Sequence, residues 1–416
     1  MNYDYLIVGA GFFGATVAER LAATGKKILI IDRRPHLAGN AYSYTDQETG
    51  IEIHQYGSHI FHTESDEVWN YITRFTEFND YVHTVPTHHE GKLYPMPINL
   101  DTINLLYGKN FTAEEAKVFI AEEIKKDIEK YQIEEPKNFE EKGITLIGEK
   151  LYQAFIKNYT EKQWGTSAKN LSAEILKRIP VRFDHDNRYF ASAKHQGIPK
   201  AGYTKIVENM LNSNNIEVRL NTSFKDVESE IEGIKVIYTD PVDELLNYEL
   251  GVLPYRSLRF EAEWTNDDLG HAVINEADKD ISYTRTHDYK YYQIHQPKVL
   301  TSKKSYLCKE YPADYEVGKE AYYQLIMQIL KLFTKNISTS CRSVIQTSFS
   351  VVVSALIVIG IWTLLLKMLS ILPLLFLKNK LILYNLIHSA IIPSLRRFTY
   401  VWNCWICRRK RCTGVF

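Results

Sequence analysis

The stretch Tyr5-Leu6-Ile7-Val8-Gly9-Ala10-Gly11-Phe12-Phe13-Gly14 joins a short apolar run to glycines spaced as G-x-G-x-x-G. A helical pattern follows from Ala15 to Ala23, and a second apolar run, Ile28 to Ile31, ends at Asp32. A glycine-rich turn in an unrelated α/β domain is the alternative. The complete order of strand, glycine turn, helix, strand and acid instead predicts a βαβ unit that binds a dinucleotide.

Each part of this unit has a chemical task. Gly9 permits the tight turn, Gly11 lets the backbone approach a pyrophosphate, and Gly14 allows the helix to pack closely on the strand. The N-terminus of the helix offers N–H groups and a partial positive charge to phosphates. Asp32 can accept hydrogen bonds from both ribose hydroxyls.

Charge divides the chain into two unlike parts, although its net charge is zero. Residues 1–323 contain all 50 acidic residues and 38 of the 50 basic ones, whereas 324–416 contain the other 12 basic residues. Four of the five cysteines also lie in 324–416, and Cys308 is alone in the preceding part. A lone cysteine and an N-terminus without a signal-peptide pattern favour a reduced, cytoplasmic setting.

Two histidines, His59 and His62, stand three residues apart in the stretch Tyr56–Thr63. Such a pair could bind a metal from one face of a helix. The nearby carboxylates of Glu64 and Asp66 are loosely placed, however, and no His-Glu-x-x-His pattern is present. We therefore predict no metal site, and surface or core histidines remain the simpler alternative.

The middle of the chain changes from helical to strand-like patterning. Residues 112–165 are predicted to be helical, because Thr112-x-x-Glu115 is a capping-box signature and apolar residues then recur at four-residue spacing. Beyond about residue 216 the pattern favours strands at 216–220, 234–238 and 258–264.

Short motifs in this region carry a resemblance to a known family. They are Tyr159-Thr160-Glu161-Lys162-Gln163-Trp164-Gly165, Lys177-Arg178-Ile179-Pro180-Val181-Arg182, Arg188-Tyr189-Phe190, Gln196-Gly197-Ile198-Pro199, Gly202-Tyr203-Thr204, Leu253-Pro254-Tyr255-Arg256-Ser257 and Tyr283-Thr284-Arg285. In this order they resemble the motifs of the UDP-galactopyranose mutases, and the resemblance covers residues 1–323. The stretch containing His59 and His62 is similar to that family's G-x-H-I-F-H-T loop, which lies against a flavin.

The resemblance implies an α/β fold made of a FAD-binding Rossmann-like domain, a helical substrate-binding insert and an antiparallel sheet. We place these parts at 1–100, resuming near 205–240, at 101–185 and at 186–323. A tail over 324–416 is not expected to follow the family fold. UDP-galactose is the implied substrate, a homodimer is the implied assembly, and no nucleic-acid partner is predicted.

The family motifs also assign roles to individual residues. Arg178 and Arg285 would hold the diphosphate, and Trp164 would stack on uracil. Surface arginines and a core tryptophan are the alternative on composition alone. The complete prediction comprises catalytic Arg178, Arg285 and His62; cofactor-binding Gly9, Gly11, Phe12, Gly14, Asp32, Arg33, Asn40, Gly57 and His59; and substrate-binding Phe155, Tyr159, Trp164, Tyr189 and Tyr323.

The reaction implied by the resemblance interconverts UDP-galactopyranose and UDP-galactofuranose. Reduced flavin N5 attacks the anomeric carbon and expels UDP, the adduct opens and recloses on another hydroxyl, and UDP returns. NAD(P)H is the implied reductant. A related FAD oxidoreductase of the amine-oxidase type is the rival class, and it should lack both the Trp164 motif and affinity for uridine.

The family pattern T-G-P-[IV]-D is altered here to Thr239-Asp240-Pro241-Val242-Asp243. Glycine at that position suggests either a close backbone approach or a positive φ, and aspartate tolerates both poorly. We therefore expect Asp240 to disturb the flavin pocket.

The tail is explained by a change of reading frame. When the third base of each codon is read with the first two of the next, Phe349–Thr363 can encode F-G-G-R-L-G-S-Y-R-Y-W-D-M-D, which resembles the family's C-terminal flavin motif. Likewise Gln324-Leu325-Ile326 can encode P-V-N, which extends Tyr322-Tyr323 to the family's Y-Y-P-V-N. We infer a one-base frameshift at about residue 324, with loss of the residues that this motif supplies to the flavin.

If the tail is instead translated in the same frame as the body, the alternative is a membrane anchor. Ser343–Leu366 contains no charged residue, and basic residues flank the wider apolar region 343–377. Under this alternative the protein would associate with a membrane, or it would be an inactive remnant of a mutase gene.

Overall fold

A computed structural model describes residues 3–324 except 177–178, 232, 246 and 250. The predicted tail, with its frameshift and membrane alternatives, thus lies outside the described residues apart from Gln324.

The strands and helices of the described residues are as follows. The strands are β1 (Tyr5–Val8), β2 (Ile28–Ile31), β3 (Ser43–Thr45), β4 (Glu52–His54), β5 (Phe61–Thr63), β6 (Thr87–His89), β7 (Lys92–Tyr94), β8 (His195–Gly197), β9 (Ile216–Arg219), β10 (Lys235–Tyr238), β11 (Tyr255–Thr265), β12 (Val273–Glu276), β13 (Arg285–Asp288), β14 (Ser305–Asp314) and β15 (Tyr323–Gln324). The helices are α1 (Phe12–Ala22), α2 (Asp66–Ile72), α3 (Leu100–Tyr107), α4 (Ala113–Tyr131), α5 (Phe139–Ile147), α6 (Glu149–Tyr152), α7 (Asn158–Trp164), α8 (Tyr203–Leu211), α9 (Phe224–Val227), α10 (Val242–Leu245) and α11 (Pro297–Leu300).

A four-stranded parallel sheet in the order β10–β1–β2–β9 forms the nucleotide-binding part. Its two central strands are apolar throughout because both of their faces are covered. Tyr5 and Ile7 face a core that includes α1 and α8, whereas Leu6 and Val8 face a second core on the opposite side. The chain therefore returns to its first domain at α8, β9 and β10, after the intervening helices.

A seven-stranded sheet in the order β15–β11–β14–β13–β12–β6–β7 forms the second layer. All its pairings are antiparallel except that between β12 and β6. The strand predicted at 258–264 lies inside β11, which pairs with β14 over most of its length. Strands β6 and β7 precede residue 100 but join this sheet, because β6 pairs with the edge of β12.

The helices between Leu100 and Trp164 pack around a separate apolar core. The predicted capping box is present: Glu115 N–H donates to the Thr112 hydroxyl, and the Glu115 carboxylate accepts from Thr112 N–H. Helices α6 and α7 continue through a π-helical turn at Gln153–Lys157. The predicted α/β fold class, with its Rossmann-like part, helical segment and largely antiparallel sheet, is confirmed.

Within the described part of the chain, no helix combines the length and the apolar character that crossing a membrane requires. The apolar region 343–377 falls outside that part.

Candidate flavin and nucleotide-sugar site

The glycine turn between β1 and α1 has the close contacts that its sequence predicts. Gly9 has φ +101°, and a Cβ on Gly14 would lie 1.9 Å from the Gly9 carbonyl oxygen. A Cβ on Gly11, by contrast, would come no closer to its surroundings than 3.9 Å, from the Gly39 Cα. Gly9 and Gly14 are thus required by the fold itself, and Gly11 leaves the turn open to a ligand.

Asp32, at the end of β2, is buried and ties this turn together. One carboxylate oxygen accepts from Ala10 N–H and the other from Arg34 N–H, both at 2.9 Å. Each carboxylate oxygen keeps a lone pair that can still accept a hydrogen bond from a ribose hydroxyl. Asp32 can therefore both stabilise the turn and bind a ribose. Phe12, at the start of α1, is buried and packs edge-on against Tyr203.

The two arginines after β2 are held by acidic side chains. Arg33 lies 3.0 Å from Glu244, and Arg34 pairs with Glu320 and donates to the Asn40 side chain at 2.7 Å. Gly39, the neighbour of Asn40, lies close to Gly11, so Asn40 stands near the glycine turn. Sequence reasoning missed the hydrogen bond between Asn40 and Arg34.

Asp240 follows β10 and lies against the glycine turn. Its Oδ1 is 3.6 Å from the point where a Cβ on Gly9 would stand, and the preceding Thr239 hydroxyl donates to the Val8 carbonyl at 2.7 Å. Asp240 does not have positive φ. A positive φ is therefore not the reason for a glycine at this position. Burial raises the pKa of Asp240 to about 6, although Arg33 acts in the opposite direction.

The loop containing His59 packs against the second sheet. The Gly57 carbonyl contacts His59 Nδ1 at 2.9 Å, and the Ser58 hydroxyl contacts His287 Nδ1 at 2.8 Å. Burial lowers the pKa of both His59 and His287. Both imidazoles are therefore neutral at pH 7.

His287 continues this contact chain to the predicted arginine. Its Nε2 lies 3.5 Å from Glu310, whose other carboxylate oxygen lies 3.5 Å from Arg285 Nε. Arg285 in turn donates to the Tyr159 hydroxyl. Burial favours a higher pKa for Glu310, but Arg285 and His287 outweigh it and hold that pKa below its usual value. Glu310 is thus an ionised, buried partner of Arg285.

The remaining predicted residues are placed differently. Phe155 lies in the helical core, packed edge-on against Tyr94 at 5.0 Å. His62 is exposed and stacks on Phe190 at 3.6 Å. Tyr189 is exposed and packs edge-on against His83 and Phe190. Trp164 is half-buried at the end of α7.

Two predicted residues receive no side-chain description. Arg178 lies outside the described residues. Tyr323 is placed only by its backbone, opposite Arg256 in the pairing of β15 with β11.

Sequence reasoning also missed Ser58, His287, Glu310 and Lys162. Lys162 stands inside the Tyr159–Gly165 motif, so a signal existed. No local sequence pattern marks Glu310 and His287, because their contacts with the site are made between residues that are distant in the sequence. Over the ranges that the structure describes, no group of three or more His, Cys, Asp or Glu side chains could hold a metal ion.

The fold and this site define a class of protein: a Rossmann-type dinucleotide binder with aromatic and arginine side chains beside its nucleotide loop. Comparisons with known proteins agree. Residues 7–75 match an NAD(P)-binding Rossmann-like domain, and residues 154–344 match the family described as UDP-galactopyranose mutase.

Curated relatives extend the match over most of the chain. A probable UDP-galactopyranose mutase of Klebsiella pneumoniae is 41% identical over 313 residues, which cover 74% of this chain and 80% of the relative. A dTDP-fucopyranose mutase of Escherichia coli is 40% identical over 314 residues, covering 73% and 81%. A crystal structure of a reduced UDP-galactopyranose mutase shares the fold with TM-score 0.56 at 15% identity, over 75% of each chain.

This chain therefore belongs to the UDP-galactopyranose mutase family, which is a family of flavin-dependent isomerases. The predicted family and isomerase class are confirmed.

Proposed function

We propose that this chain carries the substrate- and flavin-binding body of an enzyme that interconverts UDP-galactopyranose and UDP-galactofuranose. The observation that carries the proposal is the continuous contact chain from the His59 loop through Ser58, His287 and Glu310 to Arg285. It links the loop expected to face a flavin to the arginine expected to face a diphosphate. We infer that one substrate contacts both.

The residues present fit a dinucleotide cofactor, with one exception. The open backbone at Gly11, the N-terminus of α1 and the buried Asp32 match the diphosphate and a ribose. Asp240 opposes a diphosphate, because its carboxylate lies beside Gly9. We expect FAD to bind here with reduced affinity.

On the substrate side, Arg285 holds the diphosphate by charge-assisted hydrogen bonds and Trp164 stacks on the base. Glu310 and Tyr159 fix the orientation of Arg285. A bound, reduced flavin would supply the nucleophile that displaces UDP from the anomeric carbon. Arg285 stabilises the charge that develops on the departing diphosphate. NAD(P)H as reductant and a homodimeric assembly complete the proposal on the strength of the family resemblance.

We also propose that residues after about 324 are translated in a shifted frame, so that this chain lacks the C-terminal flavin motif of its family. The composition supports this, since residues 324–416 contain no acidic residue and four of the five cysteines. Substrate binding and catalysis are then separable: the body binds the nucleotide, and turnover is lost.

The test is ligand binding by the full chain. We expect UDP to quench the tryptophan fluorescence of the chain saturably, and Arg285→Ala to weaken UDP binding by about tenfold or more while leaving uridine binding nearly unchanged. Arg259→Ala is the control, because Arg259 is exposed on β11 and pairs with Glu261. Equal loss for UDP and uridine, or no UDP binding by the unaltered chain, would contradict the proposal.

The same titration shows whether the sugar substrate is linked to uridine or to thymidine diphosphate. Because one relative is a dTDP-fucopyranose mutase, dTDP is the competitor to compare with UDP. Tighter binding of UDP supports the uridine substrate. Tighter binding of dTDP would replace it with a thymidine-linked sugar.

A further inference from the structure

The ammonium group of Lys162 occupies a cage of four backbone carbonyls. Its Nζ donates to the carbonyl oxygens of Glu276, Asp278, Ile281 and Tyr283, at 2.7, 3.1, 3.0 and 3.0 Å respectively. An ammonium has three N–H donors, so the four acceptors share them. An exposed lysine such as Lys126 instead pairs with a carboxylate, that of Glu123, one turn away on its own helix.

The cage joins two elements that carry proposed substrate contacts. Lys162 lies on α7, between Tyr159 and Trp164. The four carbonyls belong to the end of β12 and its connection to β13, and the last of them is only two residues before Arg285. Tyr159 and Lys162 are three apart on the helix, so both face the same side, toward this connection and Arg285.

We infer that Lys162 is a positioning residue that sets the separation between Trp164 and Arg285, and hence fits the site to a ligand with both a base and a diphosphate. This inference rests on the proposed function. Without the ammonium, four carbonyl dipoles would converge on one another with no partner, and the connection would have to rearrange. Arginine would not substitute, because its planar fork cannot satisfy acceptors that converge on one point.

The test compares a ligand that spans both ends of the site with one that uses a single end. Lys162→Met keeps the length of the side chain and removes the donors. We expect UDP affinity to fall by about tenfold or more and uridine affinity by less than about threefold, because only UDP needs the correct separation. Lys126→Met, on the exposed face of α4, is the matched control and should change neither affinity.

Chemical rescue keeps the inference testable if Lys162→Met fails to fold. In Lys162→Ala, n-propylammonium replaces the missing methylenes and charge, and it should restore UDP affinity at least partly. Neutral 1-propanol at the same concentration should not. Lys162→Gln, which donates two N–H groups without a charge, should fall between the unaltered chain and Lys162→Met.

Three results would overturn the inference. The first is an unchanged UDP affinity in Lys162→Met, and the second is an equal loss of affinity for UDP and for uridine. The third is a failure of every Lys162 variant to fold, whether or not the amine is added. The last two would make Lys162 a general folding residue. Failure of the proposed function is recognised separately, since the unaltered chain would then show no UDP binding at all.

Discussion

Asp240 shows how one side chain changes the chemistry of a binding turn. Its carboxylate lies beside Gly9, and Arg33 is the nearby cation that opposes the effect of burial on its pKa. Near pH 7 the group is mostly ionised, because its pKa is about 6. An ionised carboxylate therefore lies beside the glycine turn, where a cofactor diphosphate is expected.

Replacing this carboxylate should strengthen FAD binding. We expect Asp240→Asn and Asp240→Gly to increase FAD affinity by about tenfold at pH 8, since a like charge near the diphosphate is removed. The advantage of Asp240→Asn should shrink as the pH falls below about 6, where Asp240 itself becomes protonated. Quenching of flavin fluorescence measures both effects.

Asp267→Asn, an exposed change in the loop after β11, serves as the control for this series. An FAD affinity that is the same in the unaltered chain and both Asp240 variants across this pH range would show that Asp240 does not face the diphosphate.

The pKa of Asp240 also has a consequence for stability. A carboxyl group whose pKa is raised on folding contributes stability below its unfolded pKa of 3.8, and that contribution is lost as the pH rises through about 6. The gain in stability of Asp240→Asn over the unaltered chain should therefore be larger at pH 7 than at pH 4. Urea denaturation at the two pH values measures the difference.

At the scale of elements, the sequence predicted the features that depend on residues close together in the chain. The capping box at Thr112 and Glu115, the strand within β11 and the strands near 216 and 235 all follow from patterns of fewer than a dozen residues. The parallel pairing of β9 with β2 and of β10 with β1 does not follow from those patterns. The pairing of β6 with β12 does not, because nearly two hundred positions separate their partners, as in Thr87 and Asn275. The contact chain through His287 and Glu310 was hidden for the same reason.

The capping box gives a prediction confined to one helix. Thr112→Ala removes the acceptor for Glu115 N–H at the start of α4 and should lower the free energy of unfolding by about 1 kcal/mol. Thr112→Ser keeps the hydroxyl and should lower the free energy of unfolding by only a few tenths of a kcal/mol. Urea denaturation followed by circular dichroism measures both. Equal losses for the two variants would mean that the threonine methyl, and not the cap, stabilises the helix.

At the scale of the whole molecule, the chain combines an acidic body of family type with a basic tail of different composition. The body has its two larger sheets, its helical core and a connected set of proposed ligand contacts. Family membership is established by the match to family relatives over about three quarters of the chain, and the proposed change of reading frame makes activity a separate question.

A chain without the C-terminal flavin motif should hold FAD weakly and show little or no turnover, even where UDP still binds. Apolar surface that this motif would otherwise cover also favours aggregation. Size-exclusion chromatography with absorbance at flavin wavelengths would report both. A monodisperse protein with stoichiometric flavin would contradict the shifted frame.

The most direct measurement compares this chain with the product of the same gene carrying one restored base before the Gln324 codon. Both proteins are reduced and assayed for conversion of UDP-galactofuranose to UDP-galactopyranose. We predict that the restored protein holds flavin stoichiometrically and turns over, whereas the unaltered chain holds flavin weakly and shows little or no turnover. Comparable turnover by the unaltered chain, or a restored frame that fails to encode a mutase-like C-terminus, would contradict the account.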